Sequence, residues 1–141
     1  MTLRLNIFFL MTMLLFSATA AIAEDIVIIG NKYLAESTLK KQDLRDIYLG
    51  KKTGWNDNKK IVFVIHENPT ITVQFIKNYI HKSATQYASY WKEKVFTGKG
   101  IPPKSFSSDK DLIEFVARTE GAVGYVSSVN GLDTVKILRI D

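Results

Sequence analysis

The residues best suited to chemistry lie in the stretch HENPTIT, residues 66–72, which directly follows a run of apolar and β-branched residues. The run predicts a buried strand, and Asn68 followed by Pro69 is typical of a helix start, with Asn as the N-cap and Pro as the first helical residue. A helix N-terminus offers unpaired N–H groups and a partial positive charge, and open α/β sheets bind ligands at the ends of their strands. The stretch therefore predicts an anion-binding site.

We expect the hydroxyls of Thr70 and Thr72 and the backbone amides of Thr70, Ile71 and Thr72 to donate hydrogen bonds to the anion, beside the cap residue Asn68. His66 is expected to be a pH-dependent partner, because a free imidazole gains its proton only below about pH 6.5. The alternative is that Asn68 simply caps the helix and the threonines lie on its first turn without a ligand.

The sequence predicts neither a catalytic site nor a metal or cofactor site. It contains no cysteine, and its two histidines, His66 and His81, fit no ligand spacing such as H-E-x-x-H. No G-x-S-x-G or S-x-x-K motif is present, and GKG at residues 98–100 leads into two prolines instead of opening a helix as a phosphate loop does. The formal net charge of +5 is spread over many loops, so we expect no nucleic-acid partner.

The first 23 residues predict a cleaved signal peptide, which leaves one domain over residues 24–141. Arg4 precedes an apolar run at residues 7–15, and Ala-Ile-Ala at residues 21–23 is an A-x-A cleavage site. The run is shorter than the roughly 20 residues that cross a bilayer, so we expect no stable membrane insertion. The expected location is the periplasm or the medium.

Four segments are predicted to be strands: residues 26–29, 61–65, 122–126 and 135–140. Continuous apolar runs are typical of strands that are covered on both faces, in a parallel or mixed sheet. The fourth segment alternates in part and is expected at a sheet edge. We therefore predict an α/β domain with a mixed sheet of about four or five strands and flanking helices.

Helices are predicted where apolar residues recur at three- and four-residue spacing. One ends before Gly50, one starts at Asn68, one follows a capping box at Ser83, and one runs from Ser108 to Gly121. Residues 97–107 are the long irregular stretch. The side chains expected to be buried are Ile28, Val62, Phe63, Val64, Ile76, Trp91, Phe96, Val116 and Tyr125.

Three parts of the sequence resemble the phosphate-binding proteins of ABC transporters, in the type II periplasmic binding protein superfamily, and their small single-domain relatives. They are DLRDIYLGK (43–51) with WND (55–57), SYW (89–91) with VFTGKGIPP (95–103), and GAVGYV (121–126). The resemblance covers nearly all of residues 25–141. It implies a periplasmic-binding-protein-like domain of reduced size that binds phosphate or a similar oxyanion and has no enzymatic activity.

Full-length receptors of this superfamily close two lobes over the anion and use an Arg ahead of an S-G-T turn. His66 stands at the Arg position here, and Thr70, Ile71 and Thr72 stand at the S-G-T position. The resemblance implies ABC transporter membrane subunits or another envelope protein as partners. A second function stays open on the same fold, a non-transport protein-interaction module that uses its lysines and the loop at residues 98–103.

We predict cleavage after Ala23, so that the mature protein starts at Glu24. Small residues at both ends of the A-x-A site are what signal peptidase accepts. Mass spectrometry of the intact protein from the periplasmic fraction measures the new N-terminus. A periplasmic protein that retains Met1 would contradict this prediction.

Overall fold

The computed structural model describes residues 25–128 and 130–141, so the predicted signal peptide lies outside the described residues. The strands are β1 (Val27–Asn31), β2 (Thr38–Leu39), β3 (Val62–His66), β4 (Lys104–Phe106), β5 (Ala122–Val126), β6 (Val135–Ile137) and β7 (Arg139–Ile140). The helices are α1 (Lys41–Tyr48), α2 (Pro69–Phe75), α3 (Ala84–Phe96) and α4 (Asp109–Arg118), and a π-helical turn, Ile76–Ile80, continues α2. No helix in these residues is both long and apolar enough to span a bilayer.

The central sheet is mixed, as predicted, with five strands in the order β4-β3-β5-β1-β6. β3 is parallel to both of its neighbours, β4 and β5, whereas β1 is antiparallel to β5 and β6. β2 and β7 form a separate parallel pair. The parallel part of the sheet brings the C-terminal ends of β3 and β5 to the same edge.

Helices cover both faces of the sheet, which explains why its strands are continuously apolar. α4 packs on one face against Ile29, Val64 and Val126. α1, α2 and α3 pack on the other face, where the aromatic side chains lie. Because strand side chains alternate between faces, Ile28 and Ile29 enter different cores.

The predicted helix starts at Asn68, Ser83 and Ser108 and the predicted end of α1 before Gly50 are confirmed, whereas α4 ends at Arg118, three residues before the predicted Gly121. The Asn68 side chain accepts a hydrogen bond from the N–H of Thr70, and Ser83 and Gln86 form a reciprocal capping box. The Ser108 side chain accepts a hydrogen bond from the N–H of Asp111 at the start of α4. Gly50 follows α1 with a φ of +67°, a left-handed conformation that glycine adopts without strain.

The prediction for the C-terminal strand was only partly correct. Residues 135–140 form two short strands because Leu138 turns into the core and its N–H donates to the carbonyl of Ile28. Arg139 and Ile140 then pair with β2, a strand that the sequence did not predict. β4 likewise lies inside the stretch that was predicted to be irregular.

The expected burial of Phe96 was wrong, since 90% of its side chain is exposed. Phe96 is the last residue of α3 and lies five positions after Trp91, which at 100° per residue is about 140° around the helix from that buried side chain. Val62 and Phe63 are partly buried, and the other six residues of the expected core are buried.

Gly121 sets the separation of β3 and β5 at the start of both strands. Its φ is +77°, and a Cβ at this position would lie 2.1 Å from the carbonyl oxygen of Lys60. The Gly121 carbonyl accepts hydrogen bonds from the N–H of Val62 at 3.0 Å and from Nε1–H of Trp55 at 2.9 Å. No other residue fits this position without moving one of the strands.

We predict that Gly121→Ala lowers the free energy of unfolding by about 3 kcal/mol or more, because it combines a left-handed φ with a backbone clash. Gly98→Ala is the matched control, since Gly98 has a φ of +70° and nothing within 4 Å of an added Cβ. It should cost only about 1 kcal/mol. Urea denaturation followed by circular dichroism measures both values, and equal losses would contradict the role given to the clash.

Candidate functional site

The candidate residues lie at the edge of the sheet where β3 and β5 both end. His66 is the last residue of β3, Ser127 follows β5, and Asp109 is the first residue of α4. Thr72 on α2 and Tyr125 on β5 complete the group. We call these five residues the strand-end cluster.

His66 organises the turn between β3 and α2. Its side chain is 4% exposed, and its Nδ1 accepts a hydrogen bond from the N–H of Asn68 at 3.0 Å. A ring nitrogen that accepts a hydrogen bond carries no proton, so in this structure the imidazole is neutral, with its hydrogen on Nε2. The Asn68 side chain then accepts from the N–H of Thr70 at 2.9 Å, and α2 begins.

A carboxylate faces the other side of the imidazole. Asp109 Oδ1 lies 3.0 Å from His66 Nε2, although the N–H does not point at this oxygen in the direction of a hydrogen bond. Asp109 Oδ2 accepts a hydrogen bond from the Ser127 hydroxyl at 3.2 Å. If His66 gained a proton, the negative charge of Asp109 would offset the new positive charge, so an external anion would gain little attraction from it.

The hydroxyls of Thr72 and Tyr125 use their hydrogens inside the cluster. Thr72 Oγ1 donates to the carbonyl of His66, and the Thr72 and Tyr125 oxygens lie 3.1 Å apart. Because Thr72 has only one hydroxyl hydrogen, Tyr125 donates its own to Thr72. Tyr125 also accepts from the N–H of His66 at 3.2 Å. Neither hydroxyl keeps a hydrogen for a ligand.

Burial raises the pKa of Tyr125, and its hydrogen bonds to Thr72 and to the His66 backbone oppose that rise. The phenol is therefore protonated over the physiological range, as its role as a donor requires. Its ring stacks on Phe75 with 3.8 Å between the ring centroids. The hydroxyl is held where β3, β5 and α2 meet.

The arrangement of Ser127, Asp109 and His66 is not that of a catalytic triad. The serine donates to the carboxylate and not to the imidazole, so it has no base to take its proton. The imidazole lone pair is already occupied by the N–H of Asn68. Among the described residues, no group of three or more His, Cys, Asp or Glu side chains is placed to hold a metal ion.

The structure separates the residues that the sequence placed in one site. Thr70 and Asn68 are exposed at the start of α2, whereas the Ile71 side chain is buried and Thr72 points inward. Sequence reasoning missed Asp109, Tyr125 and Ser127. The available signal was the predicted strand at residues 122–126, because two parallel buried strands end at one edge of a sheet.

The comparisons with known proteins agree with this architecture. The family model of the PBP superfamily domain matches residues 16–138. No curated protein matches this chain. The solved structures that resemble this chain include phosphate-binding proteins, and their likeness confirms the predicted fold.

A protein from Clostridium perfringens, described as a phosphate ABC transporter substrate-binding protein and solved with bound phosphate, has a TM-score of 0.64 and 22% identity, over 82% of this chain and 44% of its own. An ABC-type phosphate transport receptor from Vibrio cholerae has a TM-score of 0.55 and 19% identity, over 82% and 45%. PstS from Borrelia burgdorferi has a TM-score of 0.61 and 17% identity, over 82% and 47%. The chain spans less than half the length of each.

We predict that Tyr125→Phe lowers the free energy of unfolding by about 1–3 kcal/mol, because it leaves the His66 N–H unpaired in a buried site and removes the donor to Thr72. Tyr33→Phe is the control, since 78% of Tyr33 is exposed. It should change stability by less than about 0.5 kcal/mol. Urea denaturation measures both, and a Tyr125→Phe variant as stable as the control would show that the hydroxyl pairs are not formed.

Proposed function

We propose that this chain, which belongs to the PBP superfamily domain family, is an exported protein-interaction module of the cell envelope. It is then not a stand-alone phosphate receptor. The fold is phosphate-binding-protein-like, and the relatives named above are solute-binding proteins, not enzymes. The interaction function is the part that we propose.

The proposal rests on the hydroxyl groups of the strand-end cluster, which donate to the protein itself. Thr72 donates its hydroxyl hydrogen to the His66 carbonyl, and Tyr125 donates its own to Thr72. The His66 imidazole is held between the Asn68 N–H and the Asp109 carboxylate. An anion at this edge would have to break these bonds before it gained any of its own.

Charge also disfavours a small anion here. The strand-end cluster contains the Asp109 carboxylate and no lysine or arginine. A favourable charge contact at a helix terminus contributes only about 0.3 to 1 kcal/mol. A Kd of 1 mM already requires about 4 kcal/mol. The described chain therefore supports at best weak binding of phosphate at this edge.

A different surface has the character of a contact site for another protein. Phe96 ends α3 and is 90% exposed, and Ile101 lies in the loop that joins α3 to β4 and is 83% exposed. Exposed apolar surface of this kind is a candidate for contact with another protein. We expect the partner to be another envelope protein, with the chain in the periplasm or secreted.

A second candidate function is the binding of phosphate or a similar oxyanion at the start of α2. The bound phosphate of the Clostridium relative supports it, and the exposed hydroxyl of Thr70 and the side-chain amide of Asn68 are available as donors. The amides of Thr70 and Thr72 already donate to Asn68, so of the three backbone amides expected to bind the anion, that of Ile71 would contribute. A partner such as an ABC transporter membrane subunit would have to shield the site.

Isothermal titration with phosphate and with sulfate, at low and moderate salt, tests the two functions. We expect no heat of binding below about 1 mM anion, because too few donors face outward. Micromolar binding that is lost in Thr70→Ala would overturn the interaction proposal. Thr85→Ala is the matched control, since Thr85 is exposed at the second position of α3 as Thr70 is at the second position of α2.

The role of His66 is tested with sulfate, which keeps its charge between about pH 5 and 8, where imidazole titrates. If His66 is a charge partner, sulfate affinity rises as the pH falls, and His66→Arg strengthens binding because arginine stays charged. With Asp109 beside the ring, we expect sulfate binding that is flat with pH. A steep rise would support the oxyanion function.

A further inference from the structure

A concave pocket lies at the opposite end of β3 from the strand-end cluster. Its volume is about 350 Å³, within the range of ligand pockets. Ile61, Val62 and Phe63 form one wall, residues 99–103 form the other, and Trp91 lies between them. The pocket exists because β4 pairs with β3 only from Val64 onward, so the segment before Lys104 leaves a gap beside the first residues of β3.

Packing holds this pocket open. Trp91 is 7% exposed, and its Nε1–H donates to the carbonyl of Tyr48 at 3.1 Å. A Cβ on Gly100 would lie 3.1 Å from the Trp91 ring, so the absence of a side chain lets the loop sit close against the indole. The wall opposite β3 is thus supported by a buried side chain.

The charges around the pocket have one sign. Its lining contains Lys60, Lys94, Lys99 and Lys104 and no acidic residue. None of the ion pairs among the described residues involves these four lysines. Lys94 Nζ donates to the carbonyl of Leu49 at 3.2 Å, and Lys104 lies over the ring of Phe115, so both charges are held without a carboxylate partner.

We infer that this pocket binds an extended acidic segment of a partner protein, with one large apolar side chain of that segment in the pocket and its carboxylates at Lys60 and Lys99. The inference rests on the proposed function and names the partner's chemistry. We infer the acidic groups of the partner from charge complementarity, because four lysines without counter-ions attract a negatively charged chain. We infer its apolar side chain from the lining of the pocket, which consists mainly of apolar and aromatic groups.

The concave shape favours a peptide over a membrane surface. A bilayer takes up apolar side chains that project outward, whereas a pocket between a strand and a loop accepts a side chain that projects from its partner. Ile101, which lines the pocket and is 83% exposed, is then a rim residue that excludes water around the anchor. A lipid surface is the competing occupant that the experiment has to exclude.

The test uses a short synthetic peptide with a central tryptophan flanked on both sides by aspartate and glutamate, titrated calorimetrically into the mature protein. We expect saturable binding that weakens with salt. A peptide with serine in place of the tryptophan should bind at least about tenfold more weakly, since the apolar anchor is lost. Equal binding of the two peptides would overturn the inference, because only charge would then be recognised.

Lys60→Glu with Lys99→Glu should weaken binding of the tryptophan peptide at least about tenfold. Both lysines are exposed, and neither side chain has a partner in the described structure, so the fold should tolerate the change. The control is Lys41→Glu with Lys110→Glu, which changes the net charge by the same amount at two exposed residues outside the pocket lining. Circular dichroism confirms that both variants fold, and an equal loss in both would overturn the site.

Three further outcomes separate this inference from the proposed function. Binding of phosphatidylglycerol vesicles without binding of the peptide overturns the inference in favour of a membrane surface. A silent peptide titration together with silent phosphate and sulfate titrations overturns the pocket assignment alone. Micromolar binding of phosphate or sulfate that Thr70→Ala abolishes overturns the proposed function, whatever the peptide does.

Discussion

The parallel pairing of β3 with β5 is the constraint on which the rest of this structure depends. At the start of the pair, Gly121 allows the carbonyl of Lys60 to approach the β5 backbone and binds the indole of Trp55. At its end, the Tyr125 hydroxyl connects the backbone of His66 to Thr72. β3 thus contributes one wall of the pocket near its start, and the strand-end cluster lies where β3 and β5 both end.

Local sequence signals predicted much of the fold because they act over a few residues. Asn68 with Pro69 and Ser83 with Gln86 satisfy the first N–H groups of a helix, so their helix starts are readable without tertiary structure. β2 and β4 were missed because their pairing depends on distant partners, β7 and β3. Phe96 was misplaced because phenylalanine is usually buried, whereas its position around the helix turns it away from the buried face that contains Trp91.

For the candidate site, the sequence predicted only where the residues lie in the fold. Residues 66–72 do lie at the end of the buried strand β3 and the start of α2, while their binding of an anion stays a prediction. It could not show whether hydroxyl hydrogens point to a ligand or to the protein. That direction is set by Tyr125, more than fifty residues away in the chain, and by Asp109 at the start of α4. The direction in which a hydroxyl group donates therefore depends on the tertiary structure and not on the local sequence.

The positions of the two tryptophans have a practical consequence for spectroscopy. Trp55 is 3% exposed at the Gly121 end of the β3–β5 pair, and Trp91 lies 7% exposed at the base of the pocket. The sequence contains no other tryptophan. The tryptophan fluorescence of the protein therefore comes from two buried indoles with separate surroundings, one beside a strand junction and one beside a loop. A Trp55→Phe protein would carry a single indole, and its emission under excitation selective for tryptophan would report on the polarity of the pocket without any attached dye.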